Sequence, residues 1–359
     1  MPENHAVRRD RLRTLIAEQG VEAALVTRLV NVRYLTGFTG SNAALLVSAD
    51  TVVLATDGRY ITQSQQQSPD LDRVIARHCA AALVTRAGKD GLRRLGFEDH
   101  DVSVAVHATL TALDGAPELV RLTRLVEILR TVKDDGEIEL VRTACAISCG
   151  ALEDLLPSIA PGRTERDVAR DLENRMLDKG AEGRAFETIV ATGSNSAIPH
   201  HRPTDREIAV GDLLKIDFGA LYAGYHADCT RTFVVGREPE AWQREIFDVV
   251  REAQRAGRHA LAPGAELQGI DDAARDVVRE AGYGEQFTHG LGHGVGLEIH
   301  EAPLIGYTAT GSIDARTPVT VEPGVYLPGR GGVRLEDTLV VDEGGPELLT
   351  TTPKDLVVL

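Results

Sequence analysis

Five residues in the C-terminal half of the chain are of the types that hold divalent cations: Asp217, Asp228, His293, Glu322 and Glu336. Asp217 lies near the end of one apolar run, Lys215-Ile216-Asp217-Phe218-Gly219, and Asp228 near the start of the next, Ala227-Asp228-Cys229-Thr230-Arg231-Thr232. Tyr222-Ala223-Gly224 between them is a turn signal. A hairpin folded about Tyr222 and Ala223 sets residues 217 and 228 opposite each other. Two bare carboxylates facing across a strand pair repel, and a cation between them turns that repulsion into binding. His293 stands between two glycines and Glu322 precedes a proline, residues that let backbone come close to a site. The carboxylates contribute four negative charges, which two divalent ions balance, with the imidazole as a neutral donor. Oxygen-rich ligation with one histidine suits Mn²⁺, Co²⁺, Fe²⁺ or Zn²⁺ better than it suits a structural zinc site. Two such ions, roughly 3.5–4 Å apart, hold a hydroxide and polarise a carbonyl. The plain alternative is a set of surface acids, since 54 of the 359 residues are Asp or Glu. The specific sequence around all five argues against it.

The segments Ile216-Asp217-Phe218-Gly219-Ala220, Ala227 to Thr232, His289-Gly290-Leu291-Gly292-His293-Gly294-Val295-Gly296, Ile299-His300-Glu301, Thr320-Val321-Glu322-Pro323-Gly324-Val325-Tyr326 and Val333-Arg334-Leu335-Glu336-Asp337 resemble the pita-bread metallopeptidases of the creatinase/aminopeptidase P/prolidase family. Within that family the chain is similar to the Xaa-Pro peptidases, and the resemblance runs essentially from end to end. It implies a dinuclear site, with Mn²⁺ expected first among the ions named above. Asp217 then resembles the bidentate ligand of one ion, Asp228 and Glu336 the bridging carboxylates, and His293 and Glu322 the remaining ligands of the other. Glu322 is expected also to carry a proton between the attacking water and the departing amine.

The same resemblance gives two catalytic histidines. His200, in Ala197-Ile198-Pro199-His200-His201-Arg202-Pro203, is similar to the substrate-side histidine of the family. His300 is similar to the one beside the scissile bond. His201 stands where the family often has glycine. His289 is expected close to the metal loop. Arg334 is expected to orient Glu336 or a tyrosine, or to meet substrate. Phe186 and Ile198 are open between proline pocket and ordinary core. Arg59, in Thr56-Asp57-Gly58-Arg59-Tyr60, is open between a carboxylate anchor for substrate and a structural ion pair.

The reaction implied is hydrolysis of the bond between an N-terminal residue and proline, in longer peptides (aminopeptidase P) ahead of dipeptides (prolidase). A dipeptidase needs a cation near the site for the free carboxylate, whereas an aminopeptidase needs that side open. Two readings from other classes are a metal-independent creatinase-like hydrolase and a non-catalytic binding protein on the same fold. Both are expected to have lost ligands that this chain keeps.

The elements that position these residues are readable in outline. The length favours two domains, and the expected class is α/β (α+β): a small creatinase-like α/β domain over 1–125 and a pita-bread catalytic domain over 126–359. Strands are predicted at Ala23–Val26, Ala43–Val47, Val52–Ala55, Val74–Ile75, Leu95–Glu98 and Leu119–Leu125, with helices near Ile61–Gln67, Ala80–Arg86 and Val106–Leu113. A long helix is predicted to open within Leu129–Ile138 and run toward Leu156, its main span Glu137–Leu156. Helices follow at Glu165–Lys179, Glu240–Leu261 and Leu267–Ala281, and strands at Thr188–Ala191, Leu213–Gly219 and Asp228–Val235. Thr164 and Asp167 resemble a capping box. Gly290–Gly296 is too glycine-rich for a stable helix, and it lacks the Lys-Ser/Thr of a phosphate-binding loop.

A net charge of −15 argues against nucleic acid or an anionic membrane as partner. No apolar run approaches a membrane span. The charged start, Met1 to Gly20, reads as an amphipathic helix rather than a signal peptide. The four cysteines form no CxxC pair, Cys145 and Cys149 are expected to be packed thiols, and the expected compartment is the cytoplasm. The expected partners are a proline-containing peptide substrate and, by resemblance, a second copy of the chain in a homodimer.

Overall fold

The computed structural model describes residues 2–359. The chain forms two compact units, the first ending at Arg130 and the second beginning at Thr131.

The first unit carries helices α1 (Pro2–Glu18) and α2 (Leu29–Thr36) around strand β1 (Ala23–Val26), then β2 (Ala43–Ser48), β3 (Val52–Thr56), α3 (Ile61–Gln67), β4 (Asp72–Ile75), α4 (Cys79–Lys89), β5 (Arg94–Glu98), α5 (Val104–Thr111), β6 (Glu118–Leu122) and α6 (Leu125–Thr131). The strands form one mixed sheet in the order β4-β3-β2-β1-β5-β6. Apolar residues of β1, β2, β3 and β5, among them Leu25, Leu46, Val53 and Leu95, pack on Leu83 and Val84 of α4. Helix α2 had no counterpart in the sequence reading. It ends at Gly37, whose φ of 77° is the left-handed C-cap that glycine takes without strain.

The second unit begins with α7 (Asp135–Leu155) and α8 (Glu165–Asp178). The long helix expected over Glu137–Leu156 is α7, but the stretch from Leu129 expected to open it belongs to a separate helix, α6. Asp134 accepts from the Glu137 backbone N–H at 2.9 Å, and Glu137 accepts from the Asp134 N–H at 3.0 Å. This reciprocal capping box starts a new helix and stops the old one. At α8 the cap is one-sided. Thr164 accepts from the Asp167 N–H at 3.1 Å, while the shorter Asp167 side chain pairs with Arg170.

Strands β7 (Gly183–Arg184), β8 (Ile189–Thr192), β9 (Leu213–Phe218), β10 (Ala220–Tyr222), β11 (Tyr225–His226) and β12 (Cys229–Val234) follow. Then come α9 (Ala241–Ala260), α10 (Leu267–Glu280), β13 (Gly292–Gly294), β14 (Glu301–Ile305), β15 (Pro318–Val321), β16 (Gly324–Leu327), β17 (Gly331–Arg334), β18 (Asp337–Val340) and β19 (Glu347–Leu348). The unit is built twice from similar parts, a helix pair packed on antiparallel strands. One core joins α7 and α8 to β8, β9 and β12 through Leu152, Leu172, Val190, Ile216 and Phe233. The other joins α9 and α10 to β13–β18 through Phe247, Ile270, Leu291, Val319 and Leu339.

Period two along β9 sorts its side chains. Leu214, Ile216 and Phe218 enter the first core, which leaves Lys215 and Asp217 on the opposite face. The β9–β12 hairpin pairs Asp217 with Thr230, not with Asp228, and the same register continues through Leu221↔His226 to a turn at Ala223-Gly224. Both turn residues have positive φ, 47° and 79°, as a tight hairpin turn matching the strand twist requires. The expected register is thus off by two residues. An even offset keeps every side chain on its face, so Asp228 is a diagonal neighbour of Asp217 rather than its direct opposite.

Among the described residues no helix is long and apolar enough to cross a membrane. Cys145 and Cys149 are buried free thiols, as are Cys79 and Cys229.

Candidate metal centre

The five predicted ligands converge on one cavity of about 290 Å³, which His200, His201 and His300 also line. Asp217 comes from β9 and Asp228 from the residue before β12. His293 is the middle residue of β13, Glu322 directly follows β15, and Glu336 lies between β17 and β18. The two halves of the unit therefore each supply part of the set.

Ligand atoms of Asp228, His293 and Glu336 all lie within 4.8 Å of one another, and all three side chains are buried. His293 fixes its own tautomer. Its Nδ1 lies 3.0 Å from the Gly294 carbonyl oxygen, to which it donates. Nε2 is left with a lone pair, yet it faces Asp228 Oδ2 at 3.5 Å and Glu322 Oε1 at 3.4 Å. An imidazole lone pair and two acid oxygens this close need a proton or a cation between them, and a divalent ion serves all three at once. Burial, with His300 beside it, pushes His293 down to about 4, so the imidazole is neutral and ready to ligate.

The carboxylates show the complementary strain. Burial and the neighbouring acids push Asp228 and Glu336 well above the usual carboxylate range. Burial raises Glu322 to about 7. Glu336 Oε2 accepts from Thr230 Oγ1 at 2.7 Å, the residue paired with Asp217 in the hairpin. Asp217 is held on one side only. Its Oδ2 accepts from the Arg334 guanidinium, while its buried Oδ1 has no hydrogen-bond partner. An orphaned carboxylate oxygen, an imidazole lone pair and three more acids fit divalent metal ions, because only a cation satisfies them all at once.

Around this set runs a second layer of contacts. Arg334 also donates to Tyr326 Oη at 2.8 Å. Tyr326 Oη lies 2.9 Å from His289 Nε2, whose other nitrogen is 2.8 Å from the Gly290 carbonyl oxygen. One proton assignment satisfies the chain: His289 donates from Nδ1, and Tyr326 donates to Nε2 and accepts from Arg334. Burial keeps His289 near 3, hence neutral, and holds Tyr326 near 12, hence protonated. Arg334 thus orients Asp217 and a tyrosine, and His289 supports it through that tyrosine.

His300 sets its ring edge-on to His293, centroids 4.3 Å apart. His200 and His300 line both the small cavity and a larger one of about 830 Å³, whose wall includes Leu304 and Tyr307. Phe186 lines the small cavity; Ile198 is exposed. Arg59 belongs to the first unit, where its guanidinium makes a two-point pair with Asp57 at 2.9 and 2.8 Å. Tyr326, Thr230, Lys215 and Glu165 were not singled out from the sequence. For Lys215 there was a signal, a lysine inside the apolar run of β9, since a charge in that setting must have buried partners.

The comparisons with known proteins follow this geometry. Residues 139–343 match the model of metallopeptidase family M24, and residues 8–132 that of the creatinase/prolidase N-terminal domain. The chain belongs to metallopeptidase family M24. In this metallopeptidase the family match runs from within α7 to just past β18 and takes in all five candidate ligands. The chain is 35% identical to an Xaa-Pro dipeptidase of Pyrococcus furiosus, covering 98% of this chain and 99% of the relative. It superposes on a structure described as an Xaa-Pro dipeptidase from Bacillus anthracis with a TM-score of 0.95 and 37% identity, over 99% of this chain and 100% of the other. A structure described as an X-Pro aminopeptidase from Thermotoga maritima gives 0.90 and 37%, over 98% and 99%.

Proposed function

We propose that this metallopeptidase hydrolyses Xaa-Pro dipeptides and that Asp217, Asp228, His293, Glu322 and Glu336 hold two divalent metal ions for that purpose, Mn²⁺ first among them. The observation that carries the reading is the buried His293 Nε2 lone pair, facing two acid oxygens beside the orphaned Oδ1 of Asp217. Bound ions supply Lewis-acid polarisation of the scissile carbonyl and an activated water.

The protein's own groups do the rest. Asp228 and Glu336, close together and buried, would both serve the ions as carboxylate ligands, and Thr230 holds Glu336 in place. Glu322 takes the proton of the attacking water and delivers it to the proline nitrogen as that bond breaks. The proline nitrogen carries no hydrogen before cleavage, so the departing amine must receive one. His300 and His200 are exposed side chains on the cavity wall, within reach of substrate oxygens. They donate hydrogen bonds to the polarised carbonyl and to the substrate's proline side, where charge develops.

The dipeptidase reading replaces the preference for longer peptides drawn from sequence, because the Pyrococcus and Bacillus relatives are named for Xaa-Pro dipeptides. The Thermotoga structure keeps aminopeptidase P as the second reading. A single assay separates them. Protein loaded with Mn²⁺ is given an Xaa-Pro dipeptide, an Xaa-Pro-Yaa tripeptide and an Xaa-Ala control, each with and without chelator. Chelator-sensitive cleavage of the dipeptide alone is expected. Release of the first residue from the tripeptide assigns aminopeptidase P activity, and no chelator-sensitive cleavage of either overturns the proposal.

A further inference from the structure

His200 stands on the segment joining β8 to β9, outside its short helical turn at Gly193–Ala197 and its isolated bridge at Glu207. A stretch of this kind has backbone groups that no sheet ladder satisfies. Two buried charges of opposite sign satisfy them.

On one side is Glu165, the first residue of α8, with no exposed surface. One of its oxygens accepts from the Thr192 backbone N–H at 2.8 Å and from Asn195 Nδ2 at 2.9 Å. The other accepts from the Thr204 N–H at 2.9 Å, from Thr204 Oγ1 at 2.7 Å and from His201 Nε2 at 2.8 Å. On the other side is Lys215 of β9, also fully buried. Its ammonium donates to the carbonyl oxygens of Ser196 at 3.1 Å, Ile198 at 2.7 Å and Pro199 at 3.3 Å. Arg334 adds a second donor to the Pro199 oxygen at 3.2 Å.

The anion therefore collects the donors of the segment and the cations collect its carbonyls. The residue between the two sets of anchors is His200. Burying a carboxylate or an ammonium is costly unless charge-assisted hydrogen bonds take up its capacity. Glu165, with five donors, and Lys215, with three acceptors, meet that condition only when the segment is in this conformation.

We propose that Glu165 and Lys215 are positioning residues that clamp the 192–204 segment from opposite sides and thereby hold His200 at the junction of the two cavities. Neither touches the reacting atoms. The consequence for turnover rests on the Xaa-Pro reading, whereas the order of the segment does not, so the test has two separate readouts.

The first readout is hydrogen exchange followed by mass spectrometry on the metal-loaded protein. In Glu165→Gln and in Lys215→Met, peptides covering 193–204 should exchange at least about tenfold faster than in wild type, with α9 and α10 unchanged. The second is a double-mutant cycle with His200→Ala, measured as kcat and KM on an Xaa-Pro dipeptide. Glu165→Gln should lower kcat/KM about tenfold or more in the wild-type background and less than about twofold beside His200→Ala, since both then remove the same contribution. Metal content should stay at the wild-type value. Unchanged exchange, or an equal loss in both backgrounds, overturns the clamp. Should Glu165→Gln fail to fold, Thr204→Ala removes one of the five donors from an exposed position and must show the same pattern at smaller size; its absence is equally decisive. If the wild type cleaves no Xaa-Pro substrate, the proposed function falls and exchange alone decides the clamp.

Discussion

In Asp217 one oxygen is gripped by Arg334 while the other, equally buried, has nothing to bond. That asymmetry orients the carboxylate and leaves one oxygen free for an ion. The five candidate ligands were legible jointly, from residue types together with the specific sequence flanking each one. The supports did not show in the same way. Arg334 meets Asp217 across 117 positions and Thr230 meets Glu336 across 106, and no local pattern names partners that far apart. At this scale Glu322 gives the sharpest expectation. Glu322→Gln keeps an oxygen that can ligate and loses the ability to take up a proton. Turnover should fall at least about 10²-fold, with metal content and melting temperature near wild type. Undiminished kcat in a variant of verified metal content refutes the proton-transfer role.

Elements place these residues through spacing and closeness. The hairpin β9–β12 shows how tolerant sequence reading can be: its register differs by two from the one expected, yet both aspartates still face the cavity because sheet faces repeat every second residue. The break between α6 and α7 was missed for a different reason, since the hydrophobic pattern runs on while the backbone is turned by the Asp134–Glu137 cap. The glycine-rich strand β13 was legible as a close approach. A Cβ on Gly292 would lie 2.0 Å from the Thr320 carbonyl oxygen, and one on Gly294 would lie 2.2 Å from that of Ala302. His293 thus sits on a strand squeezed between neighbours. Gly292→Ala must push β13 off β15, at a cost of about 1–3 kcal/mol. It should lower the melting temperature by several degrees and weaken metal binding about tenfold or more. Differential scanning calorimetry and a metal titration read the two effects. A variant with wild-type metal affinity would show that β13 is not a rigid mount for His293.

At the scale of the whole molecule, the concentration of buried acids ties stability to metal and pH. Asp228, Glu322 and Glu336 all have native ranges raised by burial, Glu322 to about 7. A carboxylate in the unfolded chain ionises near its ordinary value of about 4.3. Between that value and the native one, the folded metal-free protein binds more protons than the unfolded chain, so its stability falls as pH rises through this window. Metal binding has the opposite sign, because the ligands must be deprotonated and binding releases protons. The increase in melting temperature on adding saturating Mn²⁺ should therefore grow from pH 6 to pH 8. In the metal-free protein buried imidazoles push the other way: burial lowers His289 to about 3 and His293 to about 4, so up to the ordinary imidazole range the unfolded chain binds the extra protons. Scanning calorimetry at pH 6, 7 and 8, with and without Mn²⁺, measures that increment. A metal increment that shrinks as pH rises would mean that the buried acids do not bind the ion as carboxylates, and the five-ligand assignment would fall with it.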